Sequence, residues 1–324
     1  SKLAIVQAEK VRSALNVSSA ITPIDAAGDI QGSTEDAPLA RKGVDFTGSL
    51  DDALLDGTID AAVHSCKDIP PQNRWHAVLT IAACLPRADV QDVLVGPYAA
   101  LRDLPDGARV GSASMRRQAQ LLSRRPDVRV VNIRGNVGAR LAALDAGEVD
   151  ALILAKAGLD RLAESRADIH PIPLDDMLPG AAQGIIACVC RADDAATATL
   201  RRIDDVDSRN CVTAERALLD VVDESLRRKW PGRPPVAALS EGPCDCTAVC
   251  WTAAGRTRAH GEPAAMPSSH SSQLSRRSVH VAWREARFAE TAWRALAVDK
   301  QPRSHSLLSR PLERREPAVT ISHG

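Results

Sequence analysis

The sequence predicts an α/β fold in which two similar domains enclose a ligand-binding cleft. Short apolar runs that suit buried strands alternate with helix-like segments along the first 250 residues. One pattern occurs twice, at 54–61 and at 145–151: a helix end, a glycine, a spacer, a β-branched residue, Asp-Ala and an apolar run. Two copies of one unit predict related domains, and ligands often bind between domains. Chance similarity in an alanine-rich sequence is the alternative.

The composition is that of a globular protein with aliphatic cores. The 324 residues carry no net charge and are 44% hydrophobic but only 2% aromatic, and this length suits two or three domains. Nothing approaches the roughly 18 apolar residues of a transmembrane helix, and no signal peptide is visible. We therefore expect no membrane partner and a cytoplasmic location, or a plastid or other organelle if a targeting segment has been removed.

Two further patterns are weak indications of partners. Residues 251–324 hold 12 Lys and Arg against 6 Asp and Glu, but without a known nucleic-acid-binding module, so we expect no nucleic acid partner. Cys244, Cys246 and Cys250 lie close together without a CxxC pair or a suitably spaced histidine. We therefore expect no metal, and we expect the eight cysteines to be reduced thiols.

The first elements lead to a polar segment at a strand end. We predict a helix over 3–15, a loop or weak strand over 22–39, a helix over 49–56 that ends at Gly57, and a strand over 59–63. The polar segment His64–Pro71 follows that strand, at the sheet edge where open α/β sheets bind ligands. Lys67 can bind a carboxylate there, and Asp68 can move a proton or stabilise a cation. Asp68 as a simple turn residue is the alternative.

Two arginine-rich helix starts come next. Apolar runs over 109–111 and 128–133 lead to the possible helix caps Ser114 and Asn136. Arg116, Arg117 and Arg140 then lie in or near the first helical turn, where cations oppose the helix dipole. An anionic ligand would resolve this conflict, because helix N-termini and guanidinium groups both bind carboxylates. The alternative is that these arginines are solvated or paired with nearby Asp and Glu.

The remaining elements complete the α/β pattern. We predict a strand over 149–154, a helix that carries Arg161, a proline-rich crossing over 171–179, a strand over 184–190, a mostly helical segment over 193–219 and a linker over 228–243. Within residues 251–324, only 279–298 has enough apolar spacing to suggest regular structure.

Five motifs occur in a fixed order within residues 1–250. They are AVHSCKDIP (62–70), GSASMRRQAQL (111–121), IRGNVGARLAALDAGEVDALILAKAGLDRL (133–162), LPGAAQGIIACVCR (178–191) and TAERALL (213–219). Together they resemble the porphobilinogen deaminase family, also called hydroxymethylbilane synthases. The resemblance implies two periplasmic-binding-protein-like domains around a cleft and a small α+β third domain.

The resemblance also implies domain boundaries and an activity. Domain 1 would take 1–98 and 193–212, domain 2 would take 99–192, domain 3 would begin over 213–255, and 256–324 would be a divergent basic tail. Family members are monomers that join four porphobilinogen molecules head to tail into hydroxymethylbilane and release ammonia, in haem and chlorophyll biosynthesis. They do so on a dipyrromethane cofactor that is thioether-linked to a cysteine. A non-catalytic protein that binds small anions and an inactive family member are the alternatives.

Site residues follow from the same resemblance. Asp68 resembles the catalytic carboxylate, and Cys244 resembles the cofactor cysteine, with Cys246 as its competitor. Residues expected to bind the cofactor are Lys67, Ser65, Ser114, Arg116, Arg117, Arg140 and Gln183, and residues expected to bind the substrate are Arg134, Arg140 and Arg161.

This sequence departs from the family pattern in four places. The family's first strand, with a cleft arginine, would precede Ser1. The glycine-rich loop is shortened to 41–46, which leaves the placement of Lys42 open, and Val189 stands where the family has a glutamate. The family's third-domain strands cannot be traced after Cys244. These departures keep the inactive alternative open.

Overall fold

A computed structural model describes residues 1–24, 47–71, 75–226, 236–242, 245–252 and 255–261. The helices are α1 (Lys2–Leu15), α2 (Gly48–Leu55), α3 (Met115–Arg124), α4 (Val137–Asp145), α5 (Lys156–Arg161), α6 (Ala196–Leu200) and α7 (Val206–Leu226). The strands are β1 (Ala62–Ser65), β2 (Leu79–Cys84), β3 (Asp92–Val95), β4 (Arg109–Gly111), β5 (Arg129–Val131), β6 (Ala151–Ala155), β7 (Ile169–Pro171), β8 (Ile186–Arg191), β9 (Val236–Gly242), β10 (Asp245–Thr252) and β11 (Gly255–Gly261). In these stretches we find no helix with the length and apolar character needed to cross a membrane.

The first sheet has the order β1-β8-β2, with β8 antiparallel to both neighbours. Because side chains alternate along a strand, Ala187 and Val189 pack on one face of β8 and Cys188 and Cys190 on the other. The second face is covered by α1, whose Val11 is buried against it. This sheet is therefore buried on both faces, which explains why β8 is apolar throughout.

The second sheet has the order β5-β4-β6-β3-β7. Strand β4 is parallel to β5 and β6, whereas β3 is antiparallel to β6 and β7. Along β6, Ile153 faces one core and Leu152 and Leu154 face the other. A strand with two buried faces is expected to be continuously hydrophobic, as the Ala-Leu-Ile-Leu-Ala sequence is. The predicted α/β class is confirmed by these two open sheets.

The internal repeat has the same backbone conformation in both copies. Gly57 follows α2 with φ +79°, and Gly147 follows α4 with φ +72°. Each glycine N–H donates to the carbonyl oxygen three residues before it, at 3.3 and 2.9 Å. The prediction of a left-handed residue after the helix is confirmed at Gly57, but the strand predicted over 59–63 begins only at Ala62.

The predicted boundaries between the first two domains place two strands, β3 and β8, in the wrong domain. Strand β3 was assigned to domain 1 (1–98), but it hydrogen-bonds to β6 and β7 in the second sheet. Strand β8 was assigned to domain 2 (99–192), but it is the central strand of the first sheet. The chain therefore crosses between the sheets over 85–91 and returns over 172–185.

The two crossing segments pack against each other at Gly184. The Ala88 N–H donates to the Gly184 carbonyl oxygen at 3.1 Å. Gly184 has φ +90°, and a Cβ atom built there would lie 2.4 Å from the Ala88 carbonyl oxygen. Only glycine fits this position, because both the backbone conformation and the space exclude a side chain.

A third, antiparallel sheet has the order β11-β10-β9. Helix α7 packs against β9 and spans the predicted boundary at residue 213. Strand β11 lies almost wholly within the segment that was predicted to be a divergent tail, so regular structure continues further than expected. Residues 262–324, including the predicted segment 279–298, lie outside the described residues.

Candidate active site

Lys67 and Asp68 lie in a short 3₁₀ turn, Cys66–Asp68, that directly follows β1. The turn is held on both sides by buried residues: the Cys66 N–H donates to Ile185 at 2.9 Å, and the Ile69 N–H donates back to Cys66 at 3.2 Å. Cys66 and Ile69 are each 1% exposed. Since these apolar neighbours fix the backbone, Lys67 and Asp68 are presented from a rigid support.

The Lys67 ammonium reaches across to the returning crossing segment. Its Nζ donates to Oε1 of Gln183 at 3.3 Å. Burial, reinforced by the nearby charge of Arg117, lowers the pKa of Lys67 to about 8, against the opposing effects of Asp68 and Asp92. The lowered pKa of Lys67 therefore reflects mainly its burial, to which the neighbouring guanidinium groups add.

Asp92, at the start of β3, is the buried centre of this environment. Its Oδ2 accepts a hydrogen bond from Arg116 at 2.7 Å, and its Oδ1 accepts two from Arg117, from Nη2 at 2.8 Å and Nε at 3.2 Å. The Gln183 amide nitrogen donates to the same Oδ1 at 2.9 Å. Burial alone would raise the pKa of Asp92, but the two guanidinium groups outweigh it and hold the pKa well below its usual range.

The predicted binding of the cofactor by Arg116 and Arg117 stays a prediction, and both guanidinium groups are already paired within the protein. Both are buried at the start of α3 and paired with Asp92, 24 and 25 residues earlier in the chain. Arg116 also donates to the Leu178 carbonyl oxygen, and Arg117 donates to that of Ile153 at 3.0 Å. The alternative of pairing with an acidic residue therefore holds for these two arginines.

Arg140 and Arg134 retain guanidinium N–H groups that no described carboxylate engages. Arg140, in the first turn of α4, donates from Nε to the Gly135 carbonyl oxygen at 2.8 Å, and no carboxylate among the described residues pairs with it. Burial and the nearby Arg117 lower the pKa of Arg140, whereas Asp68 opposes the shift. The half-buried Arg134 makes no side-chain hydrogen bond or ion pair with any residue of the described stretches.

The helix caps differ at these two starts. Asn136 caps α4, since its Oδ1 accepts a hydrogen bond from the Ala139 N–H at 2.9 Å. Ser114 occupies the corresponding position at α3, but its side chain makes no capping bond. The Ser114 hydroxyl is therefore not committed to capping the helix, and its predicted place in the site stays a prediction.

Ser65 contacts a residue that sequence reasoning missed. The Gln7 side-chain nitrogen donates to the Ser65 Oγ at 3.0 Å, although α1 and β1 are far apart in the chain. Gln7 is 3% exposed on a helix that is otherwise mixed in polarity. The only sequence signal for Gln7 was its spacing of four residues from both Leu3 and Val11, which places it on their face of the helix.

Arg161 is placed at the crossing segments. Its Nη2 donates to the Gly184 carbonyl oxygen at 2.6 Å, and burial lowers its pKa. Arg87 holds the preceding carbonyl, that of Gln183, through a 2.9 Å bond from Nε. The guanidinium groups of Arg87 and Arg161 therefore donate hydrogen bonds to consecutive carbonyl oxygens of the returning segment. Direct contact of Arg161 with substrate stays a prediction.

The centre of the site carries a net positive charge. The groups that interact electrostatically here are the cations Lys67, Arg116, Arg117 and Arg140 and the carboxylates Asp68 and Asp92. Four positive and two negative charges give the cluster a net charge of +2. No group of His, Cys, Asp and Glu within the described residues could hold a metal ion. The arrangement is therefore suited to binding an organic anion beside an acidic group.

Comparison with known proteins identifies the family to which this chain belongs. Residues 1–199 match the family model described as porphobilinogen deaminase, dipyromethane cofactor binding domain. The chain belongs to the porphobilinogen deaminase family.

Several curated family members are similar over most of their length. The porphobilinogen deaminase of Nitrobacter winogradskyi is 42% identical over 242 residues, which cover 70% of this chain and 74% of that protein. The Acidithiobacillus ferrooxidans protein is 42% identical over 75% of this chain and 79% of its own. The chloroplastic porphobilinogen deaminase of rice is 40% identical over 74% and 68% of the two chains.

Two solved structures show a weak similarity to this chain. The periplasmic VFT2 domain of Bordetella pertussis BvgS matches with a TM-score of 0.38 and 15% identity, over 67% of this chain and 82% of its own. The GluR0 ligand-binding core in complex with L-glutamate matches with a TM-score of 0.35 and 12% identity, over 71% and 89%.

Parts of the porphobilinogen deaminase pattern fall outside the described residues. These are Cys244 and the shortened loop 41–46 with Lys42. Strand β9 ends at Gly242, two residues before Cys244, and β10, which contains Cys246, begins at Asp245. Strand β9 packs against α3, the helix that carries Arg116 and Arg117, because its Ala237 contacts Ala119.

The surroundings of Val189 explain why a valine fits where the family has a glutamate. Val189 is fully buried in β8, where it pairs with Ala62 and Ile81 in a hydrophobic cluster. An ionised carboxylate at this position would need a buried partner. Valine therefore suits the apolar neighbours that this chain provides.

Glu215 of α7 and Ser240 of β9 link the crossing segments to the third sheet, and the sequence analysis singled out neither. Glu215 of α7 accepts hydrogen bonds from Arg87, from the Ala182 N–H at 2.5 Å and from the Ser240 N–H at 2.7 Å. Ser240 lies in β9. The TAERALL motif contained this glutamate, but nothing in its local pattern indicated partners so distant in the chain.

Proposed function

We propose that this chain catalyses the joining of four porphobilinogen molecules into the linear tetrapyrrole hydroxymethylbilane, with loss of one ammonia per substrate. It acts as a transferase of tetrapyrrole biosynthesis, and its relatives are named porphobilinogen deaminases. The observation that carries this proposal is the position of Asp68 at the end of β1, beside Lys67 and within electrostatic reach of Arg140.

The substrate chemistry requires such a combination. Porphobilinogen carries two carboxylates on a pyrrole ring and an aminomethyl group that must leave. Cations are needed for the carboxylates, and a carboxyl group is needed near the departing amine. Lys67 and Arg140 supply the cations, Arg134 offers another, and Asp68 supplies the carboxyl group.

The same residues fit a dipyrromethane cofactor, which is also anionic. Arg140 and Arg134 retain guanidinium N–H groups with no carboxylate partner among the described residues, and the cluster has a net charge of +2. Bound through a thioether to Cys244, the cofactor supplies the pyrrole carbon to which the growing chain is attached. Lys67 and Arg140 hold carboxylates, Ser65 and Ser114 offer hydroxyl groups, and Gln183 orients Lys67.

Asp68 has two tasks in this proposal. As an acid it gives a proton to the amine that leaves, and as a carboxylate it then offsets positive charge on the pyrrole. A buried cation cluster without an acidic group would hold the substrate but would not assist departure of the amine.

The partner and location follow the family. We propose porphobilinogen as the small-molecule substrate, a monomeric protein, no nucleic acid or membrane partner, and a cytoplasmic site of action. A plastid is the alternative location, because one relative is named as chloroplastic.

Incubation with porphobilinogen tests this function. The expected result is loss of substrate with four ammonia molecules released for each tetrapyrrole formed. Asp68→Asn should abolish both signals, and Asp60→Asn, a change at an exposed carboxylate, should not. Binding of porphobilinogen without ammonia release by the pyrrole-loaded protein would instead identify an anion-binding protein or an inactive family member.

A further inference from the structure

Asp92 has no role in the predicted site, yet it touches more of that site than any residue named from the sequence. It is fully buried, and its two oxygens accept four hydrogen bonds from Arg116, Arg117 and Gln183. We propose that Asp92 is a positioning residue that orients the cation cluster toward the carboxylates of the bound pyrroles. This proposal rests on the proposed function.

Asp92 does not touch the ligand itself. Its carboxylate is enclosed by its donors and has no exposed surface. A carboxylate shared by two guanidinium groups fixes both planes, because each Arg117 hydrogen bond and the Arg116 hydrogen bond require a defined direction. The remaining N–H groups of these arginines are therefore held in one arrangement before any ligand binds.

The influence of Asp92 extends to Lys67 through one amide. Gln183 donates from Nε2 to Asp92 at 2.9 Å and to the Val90 carbonyl oxygen at 2.8 Å. With its nitrogen committed to these two acceptors, the amide must turn its oxygen toward Lys67, which donates to it at 3.3 Å. Asp92 thus sets the direction of a lysine on the other sheet.

Charge supports the same assignment. The charged groups that face Lys67 are Arg116, Arg117, Asp68 and Asp92. Neutralising Asp92 would raise the net charge of the cluster from +2 to +3 and remove one of the two carboxylates that favour the charged lysine. Replacing Asp92 should therefore change the protonation of Lys67 as well as the order of the two guanidinium groups.

The decisive experiment compares the wild-type protein with Asp92→Asn. Lys67 is acetylated with a small excess of acetic anhydride at a series of pH values, and the modified fraction is read by peptide mass spectrometry. We expect the midpoint of the Asp92→Asn profile to lie about half a unit or more below the wild-type midpoint. In parallel, the KM for porphobilinogen should rise on the order of tenfold, because the cations are misaligned.

Two further variants keep the result interpretable. Asp168→Asn breaks a two-pronged ion pair with Arg166 in the same domain, and it should change neither the acetylation midpoint nor the KM. If Asp92→Asn does not fold, Asp92→Glu replaces it: the retained charge should leave the midpoint near that of the wild type, and the longer side chain should still raise the KM.

Two outcomes would overturn the proposal. One is an unchanged midpoint and KM in Asp92→Asn with only a lower melting temperature, and the other is a wild-type KM in Asp92→Glu. The acetylation profile needs no turnover. It therefore reads the coupling of Asp92 to Lys67 even if the wild-type protein fails to consume porphobilinogen, which would count against the proposed function alone.

Discussion

Arg87 and Glu215 form a two-pronged ion pair where all three sheets meet. The guanidinium nitrogens lie 2.6 and 3.2 Å from the two carboxylate oxygens, and the Glu215 side chain has no exposed surface. Arg87 comes from the first crossing, and the other donors to Glu215 are the Ala182 and Ser240 N–H groups, from the second crossing and β9. One carboxylate therefore links the segments that cross between the first two sheets to the third sheet.

Loss of the Glu215 charge should destabilise the whole junction. We expect Glu215→Gln to lower the free energy of unfolding by about 3–5 kcal/mol, because it leaves Arg87 without its buried counter-ion. Asp150→Asn, which breaks the half-exposed pair with Arg109, should cost only about 0–1 kcal/mol. Urea unfolding followed by circular dichroism measures both. Equal losses in the two variants would contradict the importance given to the junction.

The close contact at Gly184 should not tolerate a methyl group. Gly184→Ala adds a Cβ atom 2.4 Å from a backbone oxygen at a residue with φ +90°, and we expect a loss of about 3 kcal/mol or more. Gly147→Ala has a similar positive φ, but nothing lies within 4 Å of the new atom. It should lose only about 1–2 kcal/mol. If thermal melts gave the two variants the same stability, the packing of the crossings would be wrong.

Arg140 should contribute to binding more than to folding. Its guanidinium group has no carboxylate partner among the described residues, so Arg140→Gln removes a ligand for substrate carboxylates at little structural cost. We expect the KM for porphobilinogen to rise on the order of tenfold, with a melting temperature close to that of the wild type. Arg129→Gln, a change at an exposed arginine of β5, should leave the KM unaltered. A normal KM in Arg140→Gln would exclude a direct contact with substrate.

Substrate binding should weaken on the alkaline side. Burial lowers the pKa of Lys67 to about 8, so the lysine is charged below that pH and loses its charge as the pH rises through it. The KM for porphobilinogen should therefore increase above pH 8. Lys67→Arg, whose guanidinium group stays charged, should remove this lysine-dependent limb. An identical limb in both proteins would assign the titration to another group.

The local features of the site could be predicted from the sequence, but its internal pairing could not. Asp68 follows its strand closely because the apolar run and the polar segment are adjacent in the chain. Arg116 and Arg117 were correctly placed at a helix start, yet their partner Asp92 lies 24 and 25 residues earlier. Nothing local marks an aspartate as a buried counter-ion, since that role is created by tertiary packing.

The domain boundaries failed for a similar physical reason. The apolar sequences of β3 and β8 would suit a buried strand in either domain. Only their hydrogen-bonded partner strands decide which sheet each one joins. The internal repeat was detectable because a glycine with positive φ leaves a local signature. The crossings were not, because the contact between Ala88 and Gly184 joins distant parts of the chain.

The intact mass of the purified, denatured protein, with peptide mapping of any adduct, tests the central claim most directly. The account predicts a protein heavier by one dipyrromethane unit, with the added mass on the peptide that contains Cys244. An adduct on Cys246 would contradict the assigned anchor but not the transferase. A protein that stays unmodified after exposure to porphobilinogen and to preformed linear tetrapyrrole would contradict the account itself.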